Sequence, residues 1–521
     1  MIDLLTTGLL PIALGSGPLA MGLAMTGRGD PAIATRTVGR LLGAGAAASV
    51  LLGARALQGT PQALAGFEAD TFGALVLVLV LGMGATIMSY AARSLRHEPY
   101  QHRFAVAGAA LVSLGAVLAT TTDLVVLASA WVAGTAATLQ LVRTGSAAGA
   151  DQRILRARRA LLAGDALVVA AVALLVTSTG STAIDDLPAA TGTVTAVAGV
   201  LLVIAAAARA ATAPFHRWLP DTLGAPTPSS ALLHAGVVNG GAIVLIKLAP
   251  ATSGSWPAAT LALVLGGASC VFAEAVMLTR PDVKGRLAWS TVAQMSFTLA
   301  LCGLGLHTAA ALHLVAHGFY KAALFLGSGG NVRALVRERT APPVGEQAGR
   351  RLTPVGFGIT GATAVAAVAL TGTDVTADLL VPLALAWVAA GCAAAAWFHR
   401  TVTFPQRLAG GLGAAGLVAA FALTTVGIKG RMGAGTTLDQ AGGLPPVLLL
   451  AVLGALVTVA ATRDGTHPRV APAWAWVRRA GQPVAAHPLT LAWPERRPAP
   501  GWSDGRTPTL APAIDDGLEA A

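Results

Sequence analysis

Three ionisable residues stand four positions apart in an apolar stretch of the chain. His313, His317 and Lys321 fall on one face of a helix, in a stripe about 12 Å long at 1.5 Å per residue. A charge in hydrocarbon is costly, so it normally faces a hydrated interior and takes part in ion or proton movement. Lysine suits that task, because a desolvated ammonium releases its proton near neutral pH and an arginine stays charged. The stripe predicts a proton or cation path; the alternative is a lysine that reaches the interface near a helix end.

Two more basic residues flank a proline-rich segment. Arg209 and His234 lie in apolar sequence on either side of residues 214–228, which include four prolines. Proline removes a backbone donor and disfavours helix in the residue before it, so a broken helix is expected here. At membrane depth such breaks line enclosed or hydrated cavities, as in the ion sites of transporters. The alternative for residues 214–228 is an ordinary cytoplasmic loop.

Two acids complete the set of candidate pathway residues. Asp165 either pairs with Arg158 or Arg159 at the membrane interface or enters the polar interior. Glu274 is a more isolated acid in apolar sequence and a candidate proton carrier; the alternative is that its side chain extends towards Arg280. The sequence leaves both pairs of alternatives open.

Transmembrane helices must position these residues. The 521-residue chain is 55% hydrophobic and only 11% charged, against about 25% charged in soluble proteins. About fifteen apolar segments are long enough to cross roughly 30 Å of hydrocarbon. They centre near residues 13, 48, 82, 112, 132, 168, 202, 240, 268, 295, 317, 362, 388, 418 and 452. The sequence therefore predicts an all-α polytopic membrane protein with about 14–15 transmembrane helices.

The basic residues indicate the orientation of these helices. They cluster in alternate loops, as the positive-inside rule requires, and a mild exception is the loop with Lys429 and Arg431. The clusters are Arg28, Arg36 and Arg40; Arg93, Arg96 and Arg103; Arg143, Arg153, Arg156, Arg158 and Arg159; Arg280, Lys284 and Arg286; Arg333, Arg337, Arg339, Arg350 and Arg351; and Arg400 and Arg407. We expect the N-terminus outside, with its first segment retained as a helix, and the C-terminus in the cytoplasm. The net charge of +11 is then a topology signal, and nucleic acid is rejected as a partner.

Residues for metal binding or enzymatic chemistry are not indicated. Cys270, Cys302 and Cys392 lie singly in apolar segments, without the spacing of a zinc site or a disulfide framework. The sequence contains no nucleophile triad and no nucleotide-binding glycine loop. We therefore expect no cofactor and no enzymatic activity in this chain.

Three motifs resemble one family, the proton-translocating antiporter-like subunits shared by respiratory complex I and multisubunit cation/proton antiporters. The motifs are residues 214–234, 282–294 and 313–321, and the resemblance covers roughly residues 60–400. It implies a fold with two inverted five-helix repeats, each containing a broken helix. It further implies that Lys321 is the central proton-carrying lysine.

The resemblance assigns roles to the other candidates as well. It implies that His313 and His317 are relay histidines and that His234 is the histidine after the first broken helix. Arg209 stands where the family has the lysine of the first channel, and Val132 stands where it has a glutamate after a tryptophan. The second broken helix has acids, Asp374 and Asp378, in place of its usual Lys-Asp pair. These departures imply either a path rerouted through Glu274 or conduction through the Lys321 half alone.

Within this family, the motifs are most similar to the membrane subunits of inorganic carbon transporters. That similarity implies a cation-translocating subunit, with the proton as the expected cation, in an energy-coupled uptake complex for carbon dioxide or bicarbonate. It also implies a partner, a large peripheral subunit with a carbonic-anhydrase-like zinc site. The alternatives are a cation/proton antiporter or respiratory proton-pumping subunit, and a membrane anchor that translocates nothing.

The same resemblance suggests a division of the chain. Residues 1–100 would form N-terminal transmembrane helices, 101–250 the first antiporter-like repeat, 251–400 the second repeat, and 401–462 C-terminal transmembrane helices. Residues 463–521 are rich in Pro, Arg and Trp and form a cytoplasmic tail. This tail is predicted to be either disordered or an aromatic and basic surface for a partner or for lipid headgroups.

Overall fold

The computed structural model describes most of the chain, and almost all of it is helical. The described residues are 8–27, 29–144, 150–189, 192–328, 353–372, 377–400, 403–428 and 470–482, with short stretches between 451 and 462. Within them, the one sheet is a two-stranded antiparallel hairpin of β1 (Gln62–Leu64) and β2 (Phe67–Ala69). The second broken helix, Asp374 and the loop arginines from Arg333 to Arg351 lie outside these ranges.

The helices follow one another with short connections. The first group is α1 (Leu9–Met25), α2 (Pro31–Leu57), α3 (Thr71–Ser94), α4 (Gln101–Thr120), α5 (Leu124–Val142), α6 (Ala150–Thr179), α7 (Thr193–Arg209), α8 (Thr227–Ala235), α9 (Gly240–Lys247) and the short α10 (Ala249–Thr252). The second group is α11 (Trp256–Thr279), α12 (Val283–Gly303), α13 (His307–Leu326), α14 (Thr353–Thr371), α15 (Ala377–Arg400), α16 (Phe404–Ile428) and α17 (Ala471–Gly481).

The polytopic all-α prediction is confirmed. Ten helices of the described residues are long and apolar enough to cross a membrane, and two shorter apolar helices, α1 and α7, accompany them. The first fourteen of the fifteen predicted segments each coincide with a helix. Hydrophobic periodicity locates such helices well, because a spanning helix must satisfy its own backbone hydrogen bonds.

Aspartates begin several of the helices. The side chains of Asp30, Asp70, Asp123 and Asp282 each accept a hydrogen bond from a backbone N–H in the first turn of α2, α3, α5 and α12 respectively. Such a cap satisfies a backbone donor that has no partner inside the helix, and the carboxylate also favours the positive end of the helix dipole. These four acids therefore define helix starts.

The predicted helix break is present and longer than one turn. Helix α7 ends at Arg209, and α8 begins at Thr227 after two short 3-10 turns, Phe215–Trp218 and Pro220–Gly224. Arg156, near the start of α6, forms an ion pair of 2.6 Å with Asp221 of this segment. The segment thus lies beside the arginine-rich start of α6, as the loop alternative requires.

A second interruption follows within the next span. The 3-10 turn Val237–Asn239 separates α8 from α9, although residues 227–247 together form a single apolar span. The sequence did not predict this interruption, because it contains no proline. Two glycines, Gly236 and Gly240, flank the turn and weaken the helix there.

Part of the predicted tail is a docked helix. Helix α17 packs on α11, with Trp474 and Val477 buried. The Arg280 guanidinium donates a hydrogen bond of 2.9 Å to the carbonyl oxygen of Gly481. The disordered alternative is therefore wrong for residues 471–481, and residues 483–521 lie outside the described part of the chain.

Candidate ion-pathway site

Lys321 is buried on α13 and faces α12. Its side chain is 1% exposed, and its ammonium donates to the hydroxyl of Ser290 and, at 3.5 Å, to the carbonyl oxygen of Leu287. The Ser290 hydroxyl in turn donates to that same Leu287 oxygen at 2.9 Å. Two oxygens of one helical turn therefore hold the lysine, and both are neutral.

Three histidines lie near Lys321 and interact with it electrostatically. His313 and His317 lie with parallel rings 6.0 Å apart, and His234 stacks on Phe325 at 4.4 Å. Both ring nitrogens of His234 and His317 are buried without a hydrogen-bond partner among the described protein atoms. A neutral imidazole has one nitrogen that donates a hydrogen bond and one that accepts, so each ring can hydrogen-bond to water. The cluster is therefore suited to a chain of hydrogen bonds that includes water.

Gly318 brings the interrupted span against α13. A Cβ atom at this position would lie 3.1 Å from the carbonyl oxygen of Ala235 and 3.4 Å from the amide nitrogen of Asn239. The same Cβ atom would clash with Cδ1 of Leu79 on α3, so a larger residue would crowd both α3 and the interrupted span. The glycine therefore allows His234 and the Lys321 stripe to share one site.

Glu274 belongs to the same group of residues. It lies on α11, half-buried, and interacts electrostatically with Lys321. Arg280, the alternative partner, instead forms an ion pair of 2.6 Å with Asp282. We define the Lys321 cluster as Lys321, His317, His313, His234 and Glu274.

A second buried cluster surrounds Arg209. The guanidinium donates to the carbonyl oxygen of Trp131 and the hydroxyl of Thr135, both at 2.9 Å, and to Asp165 at 3.3 Å. It also lies 4.1 Å from the centre of the Trp131 ring, in a cation–π contact. Asp165 therefore enters the interior and pairs with Arg209, which settles the alternative that the sequence left open. We define the Arg209 cluster as Arg209, Asp165, Thr135 and Trp131.

The Arg209 cluster has no second acid at the position that the family resemblance indicated. Val132 is 39% exposed, so its side chain points away from the buried ion pair. A guanidinium does not lose its proton in proteins. With Asp165 as its counter-ion, the guanidinium forms a buried ion pair.

A cavity opens beside Arg209, which is the one charged residue in its lining. The volume of this cavity, counted as the space open to the centre of a water molecule, is about 50 Å³. One water needs roughly 10–15 Å³ on that measure, so a few waters fit. The rest of the lining is mainly apolar, from helices α3, α4, α5, α8 and α9. The ion pair therefore borders a small space that water can enter.

Several polar contacts inside the helical bundle carry little signal in the sequence. Ser290 and Thr135 are hydroxyl residues in apolar helices, of a kind that often bonds its own helix, as Ser290 also does. Lys247 donates to the carbonyl oxygen of Ala119 at 3.0 Å and lies near Glu68. Only the spacing of Ser290 and Gln294, one helical turn apart, hints at a polar face on α12.

A protein-family model matches the part of the chain that contains both buried clusters. Residues 114–348 match the family model described as NADH:quinone oxidoreductase/Mrp antiporter, transmembrane. The match includes every residue of the Lys321 and Arg209 clusters. The resemblance to antiporter-like subunits is thereby confirmed, and the chain is a multi-pass membrane protein with an antiporter-like transmembrane region.

Particular relatives narrow the comparison. The chain is 47% identical over 136 residues to the probable inorganic carbon transporter subunit DabB of Hydrogenovibrio crunogenus, which covers 26% of each protein. It is 43% identical over 123 residues to the probable subunit DabB of Bacillus subtilis, covering 24% of each. The matched part thus spans about a quarter of these relatives. NADH-ubiquinone oxidoreductase chain 5 of Hypocrea jecorina is 28% identical over 276 residues, 52% of this chain and 40% of that one.

Solved structures agree on the fold. The Mrp complex from Dietzia sp. DQ12-45-1b has a chain with a TM-score of 0.56 and 24% identity, covering 91% of this chain and 52% of that one. An archaeal membrane-bound sulfane sulfur reductase gives a TM-score of 0.52 and 18% identity, with coverage of 92% and 97%. The helical bundle is therefore of the type found in Mrp and respiratory membrane complexes.

Proposed function

We propose that this protein is the cation-translocating, and specifically proton-translocating, membrane subunit of an energy-coupled inorganic carbon uptake complex. The DabB relatives support the carbon transporter, and the antiporter family match supports cation movement. The observation that carries the proposal is the burial of Lys321 among neutral oxygens and beside His234 and His317, whose ring nitrogens have no hydrogen-bond partner in the described part of the chain. A fixed structural charge would be paired, as Arg209 is.

The mechanism uses Lys321 as a group with two charge states. A proton enters along His313 and His317 and reaches the Lys321 amine, where Ser290 and Leu287 accept hydrogen bonds from the ammonium. Release towards Glu274 returns the amine to its neutral state. Moving one charge across 100 mV is worth about 2.3 kcal/mol, enough to bias a conformational equilibrium in a partner.

The Arg209 cluster takes a different part in this mechanism. Arg209 holds its proton, so it contributes a fixed charge that Asp165 neutralises. Protons then pass through the Lys321 cluster alone. His234 provides a further hydrogen-bonding group on this path, and Glu274 accepts the proton that Lys321 releases. Arg209 and Asp165 influence the path only by shaping the helices around it.

The proposed partner is a large peripheral DabA-like subunit with a carbonic-anhydrase-like zinc site. That subunit would hydrate carbon dioxide to bicarbonate, and the chain described here would supply the cation flow that drives the step. We place the complex in the bacterial inner membrane. The N-terminus would lie outside and the C-terminus in the cytoplasm, where the arginine-rich loops lie under the positive-inside rule.

Growth of a carbonic-anhydrase-deficient bacterium in ambient air tests this function. The gene is expressed alone, with its neighbouring large-subunit gene, and as Lys321→Ala with that gene. We expect rescue only by the wild-type pair. Lys284→Ala, which removes another of the four lysines, is the matched control and retains rescue. A membrane-expressed wild-type pair that gives no rescue contradicts the proposal.

A second candidate function is a cation/proton antiporter or respiratory proton-pumping subunit. The likeness to the Mrp complex and to NADH-ubiquinone oxidoreductase chain 5 favours it. Sodium and pH sensitivity of an antiporter-deficient strain distinguishes the two functions. Restored salt tolerance without carbon rescue would identify the antiporter.

A further inference from the structure

The cavity beside Arg209 is apolar on almost every side. Fifteen described residues line it, and Arg209 is the one among them with a polar side chain. Four of the fifteen are glycines, namely Gly115, Gly134, Gly236 and Gly240. Because a glycine has no side chain, each of these positions adds space to the cavity without adding a polar group. The volume of about 50 Å³ is therefore a largely apolar space that ends on one guanidinium.

The guanidinium of Arg209 has a nitrogen at the wall of this space. All three of its hydrogen bonds, to Trp131, Thr135 and Asp165, leave from Nη2. The other terminal nitrogen, Nη1, has no hydrogen-bond partner among the described residues. It lies beside the lining residue Gly134, where a Cβ atom would be 3.4 Å from Nη1. The cavity therefore contains one N–H donor group that is available to a bound molecule.

This lining suits a small, uncharged molecule that accepts a hydrogen bond. Buried water usually makes about three hydrogen bonds, and the side chains of the lining offer it only the N–H groups of one guanidinium. Water held so weakly is displaced with a gain in affinity by a molecule that prefers apolar surroundings. An anion would bring a charge into a space whose single cation already pairs with Asp165 at 3.3 Å, and burying a charge is costly.

One part of the lining lies at membrane depth and is partly exposed. Leu111, Leu114 and Gly115 are half-buried and stand near the middle of the spanning helix α4. A molecule that dissolves in hydrocarbon can approach the cavity at this depth, whereas an ion is excluded from it by the cost of leaving water. The position of the cavity thus favours the same kind of ligand as its lining.

We propose that this cavity is a binding site for carbon dioxide. Carbon dioxide has no charge and no dipole moment, dissolves in hydrocarbon, and has terminal oxygens that accept hydrogen bonds. One oxygen accepts a hydrogen bond from Nη1 of Arg209, and the rest of the molecule lies against the leucines, valines and glycines of the wall. The choice of carbon dioxide rests on the proposed function in inorganic carbon uptake, and it adds a site for that substrate within the membrane subunit.

Infrared spectroscopy of the purified, full-length protein in detergent tests this site directly. The antisymmetric stretch of isotope-labelled carbon dioxide is recorded at mildly acidic pH, where carbon dioxide predominates over bicarbonate, and at increasing gas pressure. Carbon dioxide dissolved in the micelle gives a band that grows in proportion to the pressure. We expect an additional, shifted band from the wild-type protein that saturates at one molecule per chain.

Matched glycine variants locate the band. Gly134→Ala should lose it, because the methyl group covers Nη1 at a distance of ordinary van der Waals contact. Gly22→Ala is the control and should keep the band, since a Cβ atom there meets nothing within 4 Å. If Gly134→Ala does not accumulate in the membrane, Ala130→Leu fills the cavity instead and should also lose the band.

A further variant tests the role of the donor. Arg209→Leu combined with Asp165→Leu removes the N–H groups without leaving an unpaired charge, so the saturating band should shift or disappear. An unchanged band would overturn the assignment of Arg209 as the hydrogen-bond donor. Lys321→Ala should keep the band, because the described lining includes no residue of the Lys321 cluster.

The spectra and the growth assay fail or succeed independently. Identical spectra from the wild type, Gly134→Ala and Ala130→Leu overturn the site. A bound bicarbonate band at alkaline pH that Gly134→Ala removes also overturns it, because the cavity would then hold an anion. A saturating carbon dioxide band from a protein that gives no carbon rescue supports the site and rejects the proposed function. Rescue by a wild-type pair whose membrane subunit lacks the band does the reverse.

Discussion

The two buried clusters place a basic side chain in similar surroundings and treat it in opposite ways. Arg209 and Lys321 are 4% and 1% exposed, and each lies beside an interrupted segment between helices. Arg209 has an acid, a hydroxyl, a carbonyl and an aromatic ring as direct partners. Lys321 donates to two neutral oxygens, and Glu274 acts on it electrostatically without a direct ion pair among the described residues. The ring nitrogens of His234 and His317, which have no hydrogen-bond partner in the same part of the chain, lie nearby.

The difference teaches how a membrane protein separates a structural charge from a mobile one. A charge that remains must be neutralised at once, because an uncompensated ion in a low dielectric is expensive. A side chain that gains and loses a proton needs neighbours that can hydrogen-bond to both its charged and its neutral form. Hydroxyl, carbonyl and imidazole groups do this, since they bond both an ammonium and, through water, an amine. The residue types at Arg209 and Lys321 agree with this division.

The largest effect is expected at Lys321. Lys321→Arg keeps the positive charge and most of the volume, but the guanidinium does not release its proton. We expect complete loss of inorganic carbon uptake, as in Lys321→Ala, with normal membrane levels of the protein. Uptake of labelled bicarbonate and immunoblotting measure the two quantities. Full activity of Lys321→Arg would rule out deprotonation at this site and would make the two clusters alike.

The next effect is on stability and falls in the Arg209 cluster. Asp165→Asn leaves the guanidinium buried without a counter-ion, and we expect a loss of about 3–5 kcal/mol in the free energy of unfolding. Denaturation of the protein in detergent measures it. Asp185→Asn, at an exposed acid, is the control and should change little. An unchanged stability of Asp165→Asn would show that Arg209 has another source of compensation.

Removing the whole ion pair sharpens the comparison. In the double variant Arg209→Leu with Asp165→Leu, no charge is left uncompensated, and apolar replacement of a buried pair is often neutral. We expect stability within about 2 kcal/mol of the wild type and retained uptake. A double variant that folds normally and transports nothing would place Arg209 in the conducting path.

The smallest of these effects is expected at Ser290. Ser290→Ala removes one acceptor of the Lys321 ammonium, which costs about 1–3 kcal/mol when a buried donor loses its partner. Uptake should fall several-fold without being abolished, because Leu287 still accepts a hydrogen bond. Ser290→Thr keeps the hydroxyl and should remain close to wild type. The prediction fails if the alanine and threonine variants have the same uptake.

Much of the molecule was predictable from local patterns. Apolar length located the helices from the segment near residue 13 to the one near 418, and prolines located the end of α7. Helical spacing identified His313, His317 and Lys321 as one stripe of α13, and the structure buries His317 and Lys321. These features depend on neighbours within a few turns of one helix, and periodicity reports such neighbours directly.

The sequence by itself determined that ionisable groups lie inside the membrane and which residue types can change charge there. Only the tertiary structure decided their partners. Asp165 and Arg209 are 44 residues apart and meet because α6 packs against α7. Ser290 meets Lys321 because α12 packs against α13, and α17 reaches α11 from 201 residues away along the chain. Contacts of this kind arise from the packing of whole helices, and no spacing within one segment records them.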